Sequence, residues 1–371
     1  MQCEQLAWTA SELPEAKLSN AQLVLVCGSR RVLSENTRFN AIKSAYPQAH
    51  IVYVSTTGNI QGVTLTDHSL MSTAFYFDKT RVAAATANRT EYTDSYETGS
   101  RLIGKLPQHE LNHVLLFTDG LQINPSKLIE GANSRLPHGV KITGGVAGDG
   151  WEFSHTLVSL NEEPVPGQCV AVGLYGSNLK VSYGVGGGWD SFGPDRVVTK
   201  AENNKLFELD GKPALDLYLK YIGKDSENHP RAAMFFPLGV RSKDQNNSLV
   251  RTVLGSDIKE NALILAGDIQ EGDRLRLMKS STERLLDGAA NAATQSADGH
   301  KGDRFALVVS CVGRQVVLGP RIEEELEELQ QVLGEQTFLS GFYSYGEYAP
   351  LCRNATELHN QTLTITVFSE E

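Results

Sequence analysis

SGFYSYGEYAP, Ser340–Pro350, packs one Phe, three Tyr, two Gly, a Glu and a Pro into eleven positions. Just upstream runs GPRIEEELEELQQVLGE, in which Ile322, Leu326, Leu329 and Leu333 recur at helical spacing while the glutamates read as a solvated face. Before that comes FALVVSCVG, a short β-rich apolar run. The quoted stretch thus closes a strand, helix, strand unit and reads as a strand running into an aromatic, Gly-containing bend. The same order occurs about 190 residues earlier, a period too long for a solenoid and suited to duplication. There VLLFTDG (Val114–Gly120) is followed by a helix over Pro125–Leu136 and by KITGGVAGDG (Lys141–Gly150), a strand ending in a glycine-rich bend.

The match extends outward. AFYFD, RVAAATA and a helix over Tyr92–Leu106 precede the first unit; ALILAGD, DRLRLMK and a helix over Thr282–Ala293 precede the second. The expected class is therefore α/β, with α+β mixed sheets, in two related ββαβαβ-containing domains from an internal duplication. At the start, AQLVLVCGS and HIVYVST flank a helical stretch over Val32–Ala45 as a βαβ unit. Between the halves lie QCVAVGLYG, KVSYGVGGGWDSFGP, RVVTKAENNKLFELDG with a hairpin turn at ENN, and the helix-like KPALDLYLKYIG. Glycine and proline concentrate at Gly186–Pro194, which places the domains at 20–185 and 195–371.

With 371 residues the chain exceeds the size at which one core keeps growing, so two domains or one large intertwined one is expected. Apolar residues at 40% and charged ones at 21% suit a soluble globular protein, and no apolar run reaches the length of a membrane span. MQCEQLAWTASELPEAK lacks the basic and apolar regions of a secretory signal, so a cytoplasmic location is expected. A net charge of −10 without a Lys/Arg cluster argues against nucleic acid, whose binding rests on clustered cations. The five cysteines are odd in number and far apart, which encodes neither a disulfide framework nor a Cys-rich zinc site.

HELNH, His109–His113, matches the H-E-x-x-H letters of zinc peptidases, but that chemistry needs both histidines on one helical face. Here the motif sits between a helix ending at Leu106-Pro107 and a strand beginning at Val114, so it reads as a polar loop. GVGGGWDSFGP, Gly184–Pro194, fits neither a P-loop nor G-x-G-x-x-G and reads as a flexible interdomain bend. Ser344 lacks the preceding glycine of a serine elbow, and Cys352 and His359 have no meaningful spacing. ELHNQTLTITVF alternates Leu363, Ile365 and Val367 with Thr362, Thr364 and Thr366, the pattern of a half-buried strand with His359 and Asn360 at its mouth.

Taken together, GGVAGDG (Gly144–Gly150), KLFELDGKPALDLY (Lys205–Tyr218), SGFYSYGEYAP and HNQT (His359–Thr362) resemble the paired FIST N-terminal and C-terminal regions of bacterial sensory proteins, over about Val24–Phe368. The resemblance implies a sensory module that binds small molecules such as amino acids and acts through a signalling partner such as a histidine kinase. Some stand-alone, NosP-like members are haem proteins that sense nitric oxide and regulate a histidine kinase or cyclic-di-GMP enzymes. Haem would need an axial ligand, usually His. SYGVGGGWDSFGP contains none, and only His155 and His359 lie near the motifs.

The expected site is a hollow between the two bends. Tyr343, Tyr345, Gly346, Glu347, His359 and Asn360 form one side; Gly145, Asp149 and Trp151, extended by Ser55-Thr56-Thr57, form the other. Aromatic faces would hold an apolar or cationic group, Glu347 an amine, and glycine N–H groups a carboxylate. No catalytic residue is assigned and a non-enzymatic binding module is expected; Asp149 and Glu347 are the carboxylate pair an enzyme would use.

Overall fold

Three pairs of parallel strands organise the chain in a computed structural model that describes residues 1–9, 13–223, 231–243, 248–297, 299–300, 302–351 and 355–371. Leu23–Gly28 lies beside His50–Ser55, Leu111–Thr118 beside Lys141–Val146, and Arg304–Cys311 beside Thr337–Ser344. A parallel pair needs a crossover, and each has a helical one: Asn36–Ala45 in the first, Pro125–Asn133 in the second, Ile322–Leu333 in the third. The strands are buried almost throughout because both faces are covered. Inward, Leu25, Val52, Leu115, Val172, Leu307 and Phe342 join one central cluster. Outward, each sheet packs on its own helices.

The flanks of the pairs repeat as well. On one side stand two antiparallel strands: Gln2–Trp8 and Leu70–Tyr76, Arg81–Asn88 and Gln168–Tyr175, Leu179–Gly186 and Leu363–Glu370. On the other side each sheet takes a strand that follows a different pair. Asn59–Gln61, after the first pair, joins the third sheet; Gly346–Pro350, after the third, joins the second; Val158–Leu160, after the second, joins the first. The exchange closes a ring and covers edges that would otherwise be open.

The mixed α/β class and the repeated order of the two halves are present, and the sheet pattern itself occurs a third time, in the first of the parallel pairs. ALILAGD and DRLRLMK are not the counterparts of AFYFD and RVAAATA. They belong to a fourth, eight-stranded sheet that includes Asp190–Glu202, Lys205–Leu209, Val253–Asp257, Ala262–Leu265 and Arg274–Lys279, with the helix Ala214–Ile222 packed on it. The turn read at ENN is there: Glu202 opposes Lys205, and Asn203 takes a left-handed φ of 52°. Gly186–Pro194 is where the chain leaves the third sheet for the fourth.

SGFYSYGEYAP does not continue as one strand into a bend. Thr337–Ser344 ends in the third sheet, Tyr345 turns the chain, and Gly346–Pro350 begins in the second. ELHNQTLTITVF likewise divides into Thr356–His359 and Leu363–Glu370, and Thr362, Thr364 and Thr366 are buried along with their apolar neighbours because this strand is covered on both faces. Nor is the glutamate run wholly solvated. Glu325 is fully buried and accepts from Arg314 Nε at 2.7 Å, Ser310 Oγ at 2.9 Å and Tyr343 OH at 2.9 Å. The glycine bend is anchored rather than loose, with Trp189 Nε1 donating to Gln361 O at 2.8 Å. In HELNH, His109 is exposed while His113 lies inside a strand, 2.8 Å from Thr143 Oγ1, with burial depressing its pKa to about 3. Cys352 lies outside the described residues. No helix among the described residues is long and apolar enough to cross a membrane.

Candidate ligand site

The segments leaving the parallel pairs bind one another around the ring. Thr57 N donates to Tyr343 O at 2.9 Å, Tyr345 N to Val146 O at 3.2 Å, and Gly148 N to Ser55 O at 2.9 Å. The Tyr345 ring lies between two glycines. A Cβ on Gly148 would sit 3.3 Å from that ring and 2.6 Å from Thr57 Cγ2; one on Gly120 would sit 3.1 Å from the ring and 2.2 Å from Ala147 O. The glycine and tyrosine bends are therefore in contact, and the expected hollow between them is not there. A cavity lies beside them instead.

Of the expected residues, Tyr345 lines that cavity. Tyr343 turns to the helical face and donates to Glu325. Gly145 and Gly346 are buried in paired strands; a Cβ on Gly145 would lie 2.6 Å from Val309 Cγ1. Glu347 is fully buried, accepts from Ser344 Oγ at 2.8 Å and Thr362 Oγ1 at 2.7 Å, and is pushed up to about 8 by burial. It is closed to a ligand amine. His359 is buried with Nε2 3.1 Å from Ala349 O, and burial lowers its pKa to about 4. Asn360 is buried with both side-chain polar atoms unpartnered. Asp149 holds its own loop: it accepts from Phe153 N at 3.0 Å, Ser154 N at 2.9 Å and His155 N at 3.0 Å, and from Tyr345 OH. The N–H groups of Phe153, Ser154 and His155 are thus engaged, as are those of Ala147 and Gly148. Trp151 is half exposed and meets Phe153 edge to face.

The cavity holds about 330 Å³. One wall is the loop Gly120–Pro125 with Phe153 and Tyr345, whose rings stack at 5.0 Å and 14°. Cys311–Gly313 closes the end, and the fourth sheet supplies Thr252, Leu254 and the segment Leu265–Asp268 opposite. It therefore opens at the carboxyl ends of the second and third parallel pairs, the usual place for a ligand crevice in α/β sheets. It also lies between the three-sheet ring and the fourth sheet. Phe153 is held there at a left-handed φ of 47°, an uncommon conformation for a bulky residue, by the Asp149 carboxylate.

Among the described lining residues the charged side chain is Asp268. Its Oδ1 accepts from Asn124 Nδ2 at 2.9 Å, while Oδ2 is buried without a partner, as is Thr252 Oγ1. On the floor, Leu121 N and Gln122 N are both taken by Asp119 Oδ1. The Cys311 thiol is pushed up by burial and by the nearby Glu347. Beyond Asp268 a second cavity of about 430 Å³ is lined by Lys127, Glu130, Arg251, Asp273 and Glu357. Asp268 carries no signal beyond its place at the end of ALILAGD, and Phe153 none, because both roles arise from contacts between distant segments.

The FIST N domain family matches residues 22–212 and the FIST C domain family residues 214–350. Uncharacterized protein MJ1623 of Methanocaldococcus jannaschii is 27% identical over 222 residues, which cover 56% of this chain and 41% of that protein. The match thus spans less than half of the relative's length. Among solved structures, a chorismatase aligns over 99% of this chain and 97% of its own at 11% identity and a TM-score of 0.35. Cyanuric acid hydrolase from A. caulinodans aligns over 100% and 99% at 7% identity and a TM-score of 0.34. Likenesses that weak carry no argument.

Proposed function

Because this chain belongs to the FIST family, whose domains are sensory, ligand-binding units of signal transduction, we propose that it is a cytoplasmic small-molecule sensor whose ligand occupies the cavity beside Tyr345 and whose output passes to a signalling partner such as a histidine kinase. The observation that carries this is the cavity's position, with one wall on the three-sheet ring and the other on the fourth sheet. A ligand touching both walls favours one arrangement of the two bodies, and binding shifts the population toward it. Around the mouth Leu121, Trp151, Phe153 and Leu254 are large apolar side chains at 38%, 50%, 43% and 40% exposure, a surface whose shape follows the ligand and which a partner can read.

This is binding rather than catalysis. Asp149 and Glu347 are both saturated by donors of the protein itself and do not face the cavity as an acid and base pair. The lining residues do not fit haem either. None of the described ones is a histidine, Cys311 is held as a thiol, His155 contacts Arg30, and His359 faces a backbone carbonyl. Native mass spectrometry of the purified protein, followed by calorimetry with any copurifying compound, tests the reading. Binding should be lost in Leu254→Trp, which narrows the mouth from its exposed rim. A ligand bound equally well by this variant would place the site elsewhere.

A further inference from the structure

We infer that the ligand is an organic cation lacking a carboxylate of its own, an amine or amidine on an apolar or aromatic body, with Asp268 as its counter-ion. This rests on the cavity being the ligand site. A zwitterionic amino acid would need an anion subsite as well as a cation subsite, and the charge on the cavity's described lining side chains suits the second. Its charged lining side chain is a carboxylate, and Oδ2 of that carboxylate and Oγ1 of Thr252 meet no donor. A buried acceptor without a donor is costly, more so when charged, and a ligand N–H supplies what is missing. The cations nearby, Lys127 and Arg251, act on Asp268 through space but give it no hydrogen bond: Lys127 pairs with Glu130 at 3.0 Å, and Arg251 donates to Leu358 O at 2.8 Å and lines the neighbouring cavity. On the wall that carries Phe153, the backbone N–H groups of Leu121 and Gln122 are engaged by Asp119 and those of Phe153, Ser154 and His155 by Asp149. The stacked Phe153 and Tyr345 rings suit the remaining apolar body or the cation itself.

Calorimetry with tyramine, phenethylamine, tyrosine, phenylalanine and 3-phenylpropionate separates the charge classes on a common ring. The amines should bind, with each amino acid at least tenfold weaker and the carboxylate weaker still. Asp268→Asn keeps the acceptor for Asn124 and should weaken amine binding at least tenfold; Thr252→Val should weaken it less and serves if the first variant does not fold. Tyrosine binding as tightly as tyramine, undiminished amine binding in Asp268→Asn, or no binding by any amine overturns the inference. In any of those overturning cases, a bound compound that is lost in Leu254→Trp leaves the cavity standing and the charge assignment alone fails. If Leu254→Trp leaves binding intact, the cavity fails as well.

Discussion

Replacing Glu347 by Gln should remove a pH dependence of stability that the wild-type protein shows near neutrality. Burial raises this carboxyl from 4.5 to about 8 in the folded protein. Between those values the folded state keeps a proton that the unfolded chain has released, so stability falls as pH rises through that range and levels off above about 8. The depressed histidines act in the opposite sense and lower down, since His113 at about 3 and His359 at about 4 alter stability only below the ordinary 6.5. From about pH 6.5 to 8 Glu347 therefore governs, and the Met1 amino group, raised from 8.0 by its carboxylate partners, adds a loss of the same sign at the upper end. One proton is worth about 1.4 kcal/mol per pH unit, so the loss across that window is about 1.5 kcal/mol once the taper near the folded pKa is allowed for. Gln keeps the shape, and the Ser344 and Thr362 hydroxyls can rotate to donate or accept. Urea unfolding at half-unit steps of pH should give a midpoint that declines for wild type and declines far less for Glu347→Gln. A level wild-type midpoint, or a variant that keeps the slope, would show that Glu347 is ionised in the fold and that burial does not govern it.

Three further outcomes follow from particular contacts. Arg314→Met leaves Glu325 buried without its cation and should cost about 3–5 kcal/mol in urea unfolding, most of it recovered when Glu325→Leu is added; a double variant as unstable as the single one counts against an isolated-charge penalty. Tyr345→Phe keeps the stack on Phe153 but loses the bonds to Asp149 and Gly150 O, so amide exchange at residues 153–155 should quicken while global stability drops by about 1–2 kcal/mol; unchanged exchange means that Asp149 holds the loop alone. Gly120→Ala drives a Cβ to 2.2 Å from the backbone oxygen of Ala147 and should lower stability by about 1–3 kcal/mol in thermal unfolding, whereas Gly104→Ala, which meets nothing within 4 Å, should not.

The strands and helices were legible because each carries its own record. Leu111–Thr118 and Arg304–Cys311 are apolar on both faces, and Ile322–Leu333 repeats its leucines at helical spacing. What a strand pairs with leaves no such record. Ser340–Pro350 reads as one element because its composition does not change at Tyr345, yet its two halves serve different sheets. Glu325 looks like its neighbours in a charged run, and only the turn of the helix toward Arg314 makes it interior.

The strand exchange that hid the architecture is also what builds the site. Since each pair passes its next strand to another sheet, Thr57, Gly148 and Tyr345 are forced together at the crossing points. Close packing there fills the space between the two bends that the sequence suggested as a hollow, and it fixes Tyr345 as a wall. The open space is left where the ring stops and the fourth sheet begins, facing Thr252 and Asp268. Tyr345 could be picked out as an aromatic residue at a glycine bend. Its partners across the cavity could not, because they come from a segment whose own periodicity records only that it is a strand.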